Sequence, residues 1–232
     1  MRILVIAAHP DDEVLGAGAT IARHALRGIA VDIQILGEGI TSRSLAEAPQ
    51  QTQNLLQLRE DAERAAILMG ARPPRLEGLP DNQFDTVPLL DIIKLVESEI
   101  DRVKPEVIYT HHPADLNIDH RLTFQAVLTA TRTLSDTGIK RLYSFEIPSS
   151  TEWSFGQFDP PFRPTTFVDI SSTLEVKLQA MGCYQGELRS FPHPRSLEAL
   201  RIIAQRWGTV AGFNAAEAFQ LIRSIHPEGV EV

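Results

Sequence analysis

Two rhythms of apolar and polar positions alternate along the chain. Residues 3–8 form a continuous apolar run that stops at a turn signal, the pattern of a strand buried on both faces, and the largely apolar stretches 30–36 and 107–110 are further strand candidates. Between and after them, apolar positions recur at helical spacing. The sets are Val14, Leu15, Ile21, Ala22, Ala25 and Leu26; Leu55, Leu58, Ala62, Ala65, Ala66 and Met69; Leu90, Ile93, Val96 and Ile100; and Phe124, Val127, Leu128 and Thr131. Gly28 and Gly70 supply stops for the first two. Strands alternating with helices predict an α/β fold with a mostly parallel sheet flanked by helices.

The later chain is more broken. Residues 141–147 and 165–170 read as strands, and 172–184 and 196–210 as helices, the first with Ser172 as N-cap and Glu175 three residues on. Residues 217–225 close the chain as a strand or a helix. Residues 43–53 are polar without a period and predict a mobile loop able to border a pocket. Residues 72–86 have the composition of a loop around a short strand. Packing is the expected role of Trp153, Phe155 and Phe158 in the proline-rich stretch between the late strands. No repeat or low-complexity tract divides the chain, so residues 1–232 are expected to form one domain.

Composition narrows the function. A formal net charge of -8 opposes broad binding to nucleic acid or to an anionic membrane. One cysteine, Cys183, excludes an internal disulfide framework and suits a reducing compartment. It carries no metal or nucleophile motif and is expected to pack as a small apolar residue. No apolar run approaches the ~20 residues of a membrane span, and the chain opens on a strand, so a cytoplasmic location is expected.

Chemistry gathers where two strands stop. The first run leads into His9-Pro10-Asp11-Asp12-Glu13, and the strand at 107–110 leads into His111-His112-Pro113-Ala114-Asp115-Leu116-Asn117-Ile118-Asp119-His120. Equivalent ends of parallel strands converge on one crevice. Two histidines and a carboxylate are a ligand set for a catalytic metal, which makes His9, Asp12 and His120 candidates and leaves Asp11 free as a base. A bound metal lowers the pKa of water and polarises a carbonyl, while a nearby carboxylate moves the proton to a leaving amine. The same three ligands also suit a non-haem iron oxygenase, or a metal- or nucleotide-binding module without catalysis.

The stretch Ala8-His9-Pro10-Asp11-Asp12-Glu13 resembles the signature of the LmbE-like, or PIG-L, family of zinc-dependent N-deacetylases, and Asp119-His120 resembles its second metal motif. The resemblance implies a Rossmann-like sandwich, Zn2+ on His9, Asp12 and His120, Asp11 as general base and Asp119 as a residue that tunes or orients the site. It implies a small amino-sugar conjugate, of the N-acetylglucosamine type, as substrate, and it leaves a homo-oligomer open. Many relatives carry a histidine where this chain has Asn117. An amide donates a hydrogen bond but holds no imidazolium charge, so His112 is the substitute candidate for stabilising the oxyanion. Arg59 and Asp81 match positions that hold sugar hydroxyls in the family, and Glu38, inside Gly37-Glu38-Gly39, matches less closely. Without the resemblance, Arg59 reads as a solvated helix charge, and the two glycines read as a strand-end turn short of a dinucleotide fingerprint. The helix from Lys177 and the stretch Ala216-Glu217-Ala218-Phe219 also resemble family features, without an assigned chemistry.

Overall fold

The first apolar run becomes strand β1 (Arg2–Ala7), and its side chains alternate between two cores. Ile3, Val5 and Ala7 face one layer of helices, while Leu4 and Ile6 face the other. Both faces being covered explains why the run is apolar throughout. The computed structural model describes residues 1–39, 48–133 and 138–226.

Among the described residues a seven-stranded sheet runs β3-β2-β1-β4-β5-β7-β6. Strands β2 (Ala30–Gly37), β3 (Arg75–Leu79), β4 (Val107–His111) and β5 (Arg141–Phe145) continue β1 in parallel. Strand β7 (Ala216–Ser224) pairs antiparallel with both β5 and β6 (Thr166–Asp169), so residues 217–224 resolve as strand. Helices α1 (Asp12–Leu26), α2 (Ala48–Met69), α5 (Leu174–Met181) and α6 (Leu197–Ala211) contribute to the first core; α3 (Leu89–Val103) and α4 (Ile118–Ala130) cover the second.

The order places β1 beside β4, with Ile3 opposite Val107 and Val5 opposite Tyr109. Successive helices leave these two strands toward opposite faces, which opens a crevice at their carboxyl ends. Gly37 and Gly39 close one wall. The Gly37 N–H donates to the Ala8 carbonyl at 2.7 Å, where a Cβ would come within 2.9 Å of that oxygen. Gly39 lies at φ +76°, where a Cβ would strike Pro10. The glycines form a strand-end turn pressed against the His9-Pro10 turn.

Several boundaries and burials differ from the sequence reading. Residues 48–53 belong to α2, since Ala48 and the glutamines at 50, 51 and 53 are good helix formers even without an apolar period; residues 43–47 of the expected loop lie outside the described residues. Leu26, Leu90 and Leu128 are exposed, and Ile92 takes the inner position given to Leu90. Helix α5 begins after Thr173, whose hydroxyl donates to the Ala19 carbonyl, so Ser172 caps nothing. Cys183 is only half-buried. Trp153, Phe155 and Phe158 are exposed, with Phe155 at 79%, so that stretch is not core.

Candidate active site

Both chemical clusters sit at strand-to-helix turns. After β1, the Asp12 carboxylate accepts from the His9 N–H at 2.9 Å, closing the turn at the start of α1. After β4, Asn117 caps α4 by accepting from the Asp119 N–H at 2.8 Å. These local bonds fix two turns that face one another across β1 and β4.

The clusters meet at Asp12 Oδ2. His9 Nδ1 lies 3.4 Å from it, and His120 Nε2 lies 3.2 Å from it. The outer nitrogens of both rings are backed by carboxylates: His9 Nε2 is 2.8 Å from Asp119 and 3.3 Å from Asp81, and His120 Nδ1 is 3.1 Å from Asp115. This pattern places a proton on each outer nitrogen and aims the inner one at a shared point. One ligand atom each from His9, Asp12 and His120 lies within 4.8 Å of the others. Asp12 Oδ1 is buried and has no hydrogen-bond partner. An unpaired buried carboxylate oxygen beside two imidazoles fits a divalent transition metal. His9, Asp81 and Asp119 also lie close together. There Asp119 already accepts from the N–H groups of Asn82 and Phe84 as well as pairing with His9, so it serves as a brace.

Electrostatics follow this geometry. Burial opposes charge on His9, but bonds to Asp119 and Asp12 outweigh it and raise its pKa to about 9. Burial likewise opposes charge on His120, and the Asp12 and Asp115 charges raise its pKa to about 10. Asp12 is buried too, yet the His120 charge and the bonds to His120 and His9 hold its carboxyl well below the usual range. His111, stacked on His120 at 4.0 Å, is pushed far down by burial and by His120, and its Nε2 accepts from the Ala8 N–H at 2.8 Å. It is therefore a neutral prop, outside the ligand set.

Asp11 stands apart from the ligands. It is 2% exposed, and burial drives its carboxyl well above the usual range against the pull of Arg195. Arg195 Nη1 donates to Asp11 Oδ2 at 3.0 Å, and the Asp11 N–H donates to Glu13 Oε2 at 3.1 Å. A buried carboxylate that retains affinity for a proton is suited to general base work.

The other sequence candidates divide. Asp119 backs His9, while the partner of His120 is Asp115, whose carboxylate also accepts from Ser150, Thr151 and the Asn117 N–H. Asn117 donates one amide hydrogen to Asn82 Oδ1 at 2.9 Å. His112 Nε2 donates to the Pro160 carbonyl at 2.8 Å, and burial lowers its pKa, so the ring is neutral. Asp81 is buried against His9, whereas exposed Arg59 and half-buried Glu38 line a cleft of about 210 Å³ that adjoins Pro10. Sequence reasoning missed Asp115, Glu13 and Arg195. The first two lie inside the quoted stretches; Arg195 lies in a loop with no periodic or motif signal.

Comparison with known proteins adds relatives to this geometry. The family described as GlcNAc-PI de-N-acetylase, PIG-L, matches residues 4–131. An uncharacterized deacetylase, YaiS, of Escherichia coli K12 is 28% identical over 77% of this chain and 88% of its own length. The 4-oxalmesaconate hydratase of Pseudomonas putida is 30% identical over 79% of this chain and 73% of its own length. The N,N'-diacetylchitobiose deacetylase structure from Pyrococcus horikoshii superposes with a TM-score of 0.76 at 20% identity, covering 95% of this chain and 83% of that one, which is a likeness of fold.

Proposed function

This chain belongs to the PIG-L family, and on that premise we propose that it is a metal-dependent hydrolase that removes an acetyl group from an N-acetyl amino-sugar conjugate. The observation that carries the reading is the convergence of His9 Nδ1, Asp12 Oδ2 and His120 Nε2 beside a separate buried carboxylate, Asp11. His9, Asp12 and His120 hold the metal, with Zn2+ the family's expected ion. A cation there supplies a water of lowered pKa and polarises the acyl carbonyl. Asp11 takes the proton of the attacking water and returns it to the departing nitrogen. Asp119 and Asp115 keep the ligand rings in one tautomer.

The developing oxyanion falls to Asn117 among the two candidates. His112 uses its N–H on Pro160, and in a neutral ring the other nitrogen has no proton to donate. Asn117 keeps a second amide hydrogen. Arg59 and Glu38, lining the cleft beside Pro10, are assigned to the sugar, and Asp81 to the same end through its place beside His9. Among the described residues no helix is long and apolar enough to cross a membrane; the cytoplasm is the compartment proposed, on the cysteine usage.

The test is primary-amine release from a panel of N-acetylglucosamine conjugates by the zinc-loaded protein and by Asp11→Asn. Release by the wild type alone supports the reading. Full activity of the variant removes Asp11 from its role, and dependence of turnover on dioxygen would favour the iron oxygenase.

A second reading is favoured by the 30% identical hydratase. A metal, a buried base and a polarised carbonyl also serve addition of water across the double bond of an unsaturated acid. Loss of ultraviolet absorbance from such an acid, with no amine released from the sugar panel, would select it.

A further inference from the structure

Asp11 holds a backbone conformation that L-residues rarely adopt, φ 102° and ψ −28°. Such a residue persists only where its surroundings over-determine it. Two sets of contacts do so here. On the main-chain side, the Asp11 N–H donates to Glu13 Oε2, and the wholly buried Tyr184 hydroxyl donates to Glu13 Oε1 at 2.6 Å. On the side-chain side, Arg195 Nη1 donates to Asp11 Oδ2 at 3.0 Å and to Glu187 Oε2 at 3.3 Å, while its Nε donates to Ser149 Oγ at 2.9 Å.

Tyr184, Glu187 and Arg195 come from one segment, the stretch between α5 and α6. All three lie beyond residue 131, where the family match ends. We propose that the segment 184–195 is the device that positions Asp11: Tyr184, acting through Glu13, fixes its main chain, and Arg195 fixes its carboxylate. These are positioning residues, and the inference rests on the reading of Asp11 as base.

The chemistry of the contacts supports positioning over two alternatives. A guanidinium donates from a planar fork, so one side chain ties Asp11 and Glu187 through one nitrogen and Ser149 through another, setting direction as well as distance. A lysine ammonium would supply charge without that direction. Recruitment of an anionic substrate by Arg195 is disfavoured, because two carboxylates already lie within 3.3 Å of the same nitrogen.

The test uses the full zinc-loaded chain and the conjugate it turns over best. Tyr184→Phe and Arg195→Lys are each made in the wild type and in Asp11→Asn. Misplacing a reacting group by about 1 Å costs up to ~100-fold, so each variant is expected to lower kcat about tenfold or more, with KM and bound zinc unchanged. Residues that act as a unit are not additive, so neither change should slow the residual rate of Asp11→Asn further. Unchanged kcat, or an equal loss in both backgrounds, overturns the proposal. If the wild type turns over no conjugate, the deacetylase reading fails on its own, and crystal structures decide this inference. Asp11 leaving positive φ in Tyr184→Phe, or leaving residue 195 in Arg195→Lys, sustains it. An unmoved Asp11 in both overturns it.

Discussion

Asp119 lies 110 positions beyond His9 in the chain and holds its Nε2 at 2.8 Å. The exchange is mutual, since Asp12, from the first turn, lies 3.2 Å from His120, from the second. Each strand-end turn thus orients a ring belonging to the other. A metal bound between them would tie β1 to β4 at their open ends.

Loss of the brace should therefore weaken the metal more than the fold. Removing a carboxylate behind a ligand histidine costs about 10–100-fold in metal affinity or activity. Asp119→Ala is expected to show that loss in competition with a chromophoric chelator. Because Asp119 also accepts from the N–H groups of Asn82 and Phe84, the 82–84 turn should gain amide hydrogen exchange in the same variant. Wild-type zinc affinity in Asp119→Ala would remove the residue from the site.

Metal removal should register in stability. A ligand that binds only the folded state adds about 2.7 kcal/mol when its free concentration is a hundred times Kd. For a chain of this size each kcal/mol moves Tm by about 2–4 °C, so zinc at that level should raise Tm by about 5–10 °C. A thermal melt with chelator and with added zinc measures it. In His120→Ala the zinc-dependent shift should shrink to a small fraction; a shift of wild-type size there would place the ion elsewhere.

The positive φ of Asp11 makes a separate thermodynamic test possible. Asp11→Ala and Asp11→Gly both delete the carboxylate and both leave Arg195 with Glu187 and Ser149. They differ in the backbone, where a Cβ in the left-handed region costs about 1–2 kcal/mol. Glycine at residue 11 should therefore be more stable than alanine by about that amount, less the greater freedom glycine regains on unfolding. Denaturant melts of the pair check it. Alanine equal to or above glycine would mean that the turn relaxes when the carboxylate is gone.

What could be read from the sequence divides along the same physical line. The strand β1 was legible because burial on both faces forces an unbroken apolar run, β2 and β4 because they are mostly apolar, and His9, Asp12 and His120 because they fall in the polar clusters that follow β1 and β4. Arg195 was not legible. It reaches Asp11 across 184 positions through a loop whose path is set by packing between α5 and α6, and no local pattern encodes that reach. The exposed leucines at 26, 90 and 128 show the other limit: helical period marks a stripe, and which edge of the stripe meets solvent depends on the neighbouring element.

The helix from Lys177 and the stretch around Glu217 carried a resemblance without a chemistry, and the fold supplies one. Lys177 Nζ donates to the Leu15 carbonyl at 2.8 Å and to Glu217 Oε1 at 2.6 Å, while Glu217 accepts from the N–H groups of Ala19 and Thr20 at 3.1 and 2.7 Å. The ion pair thus packs against the backbone of α1, the helix that carries Asp12. Lys177→Met leaves the buried Glu217 without its ion-pair partner, and breaking a buried pair from one side costs about 3–5 kcal/mol. Lys177→Met with Glu217→Leu removes both side chains of the pair together. The double variant should therefore be more stable than Lys177→Met alone, and a denaturant double-mutant cycle should show coupling of about 0.5–3 kcal/mol. Simple additivity would mean that each side chain is held by its backbone partners alone.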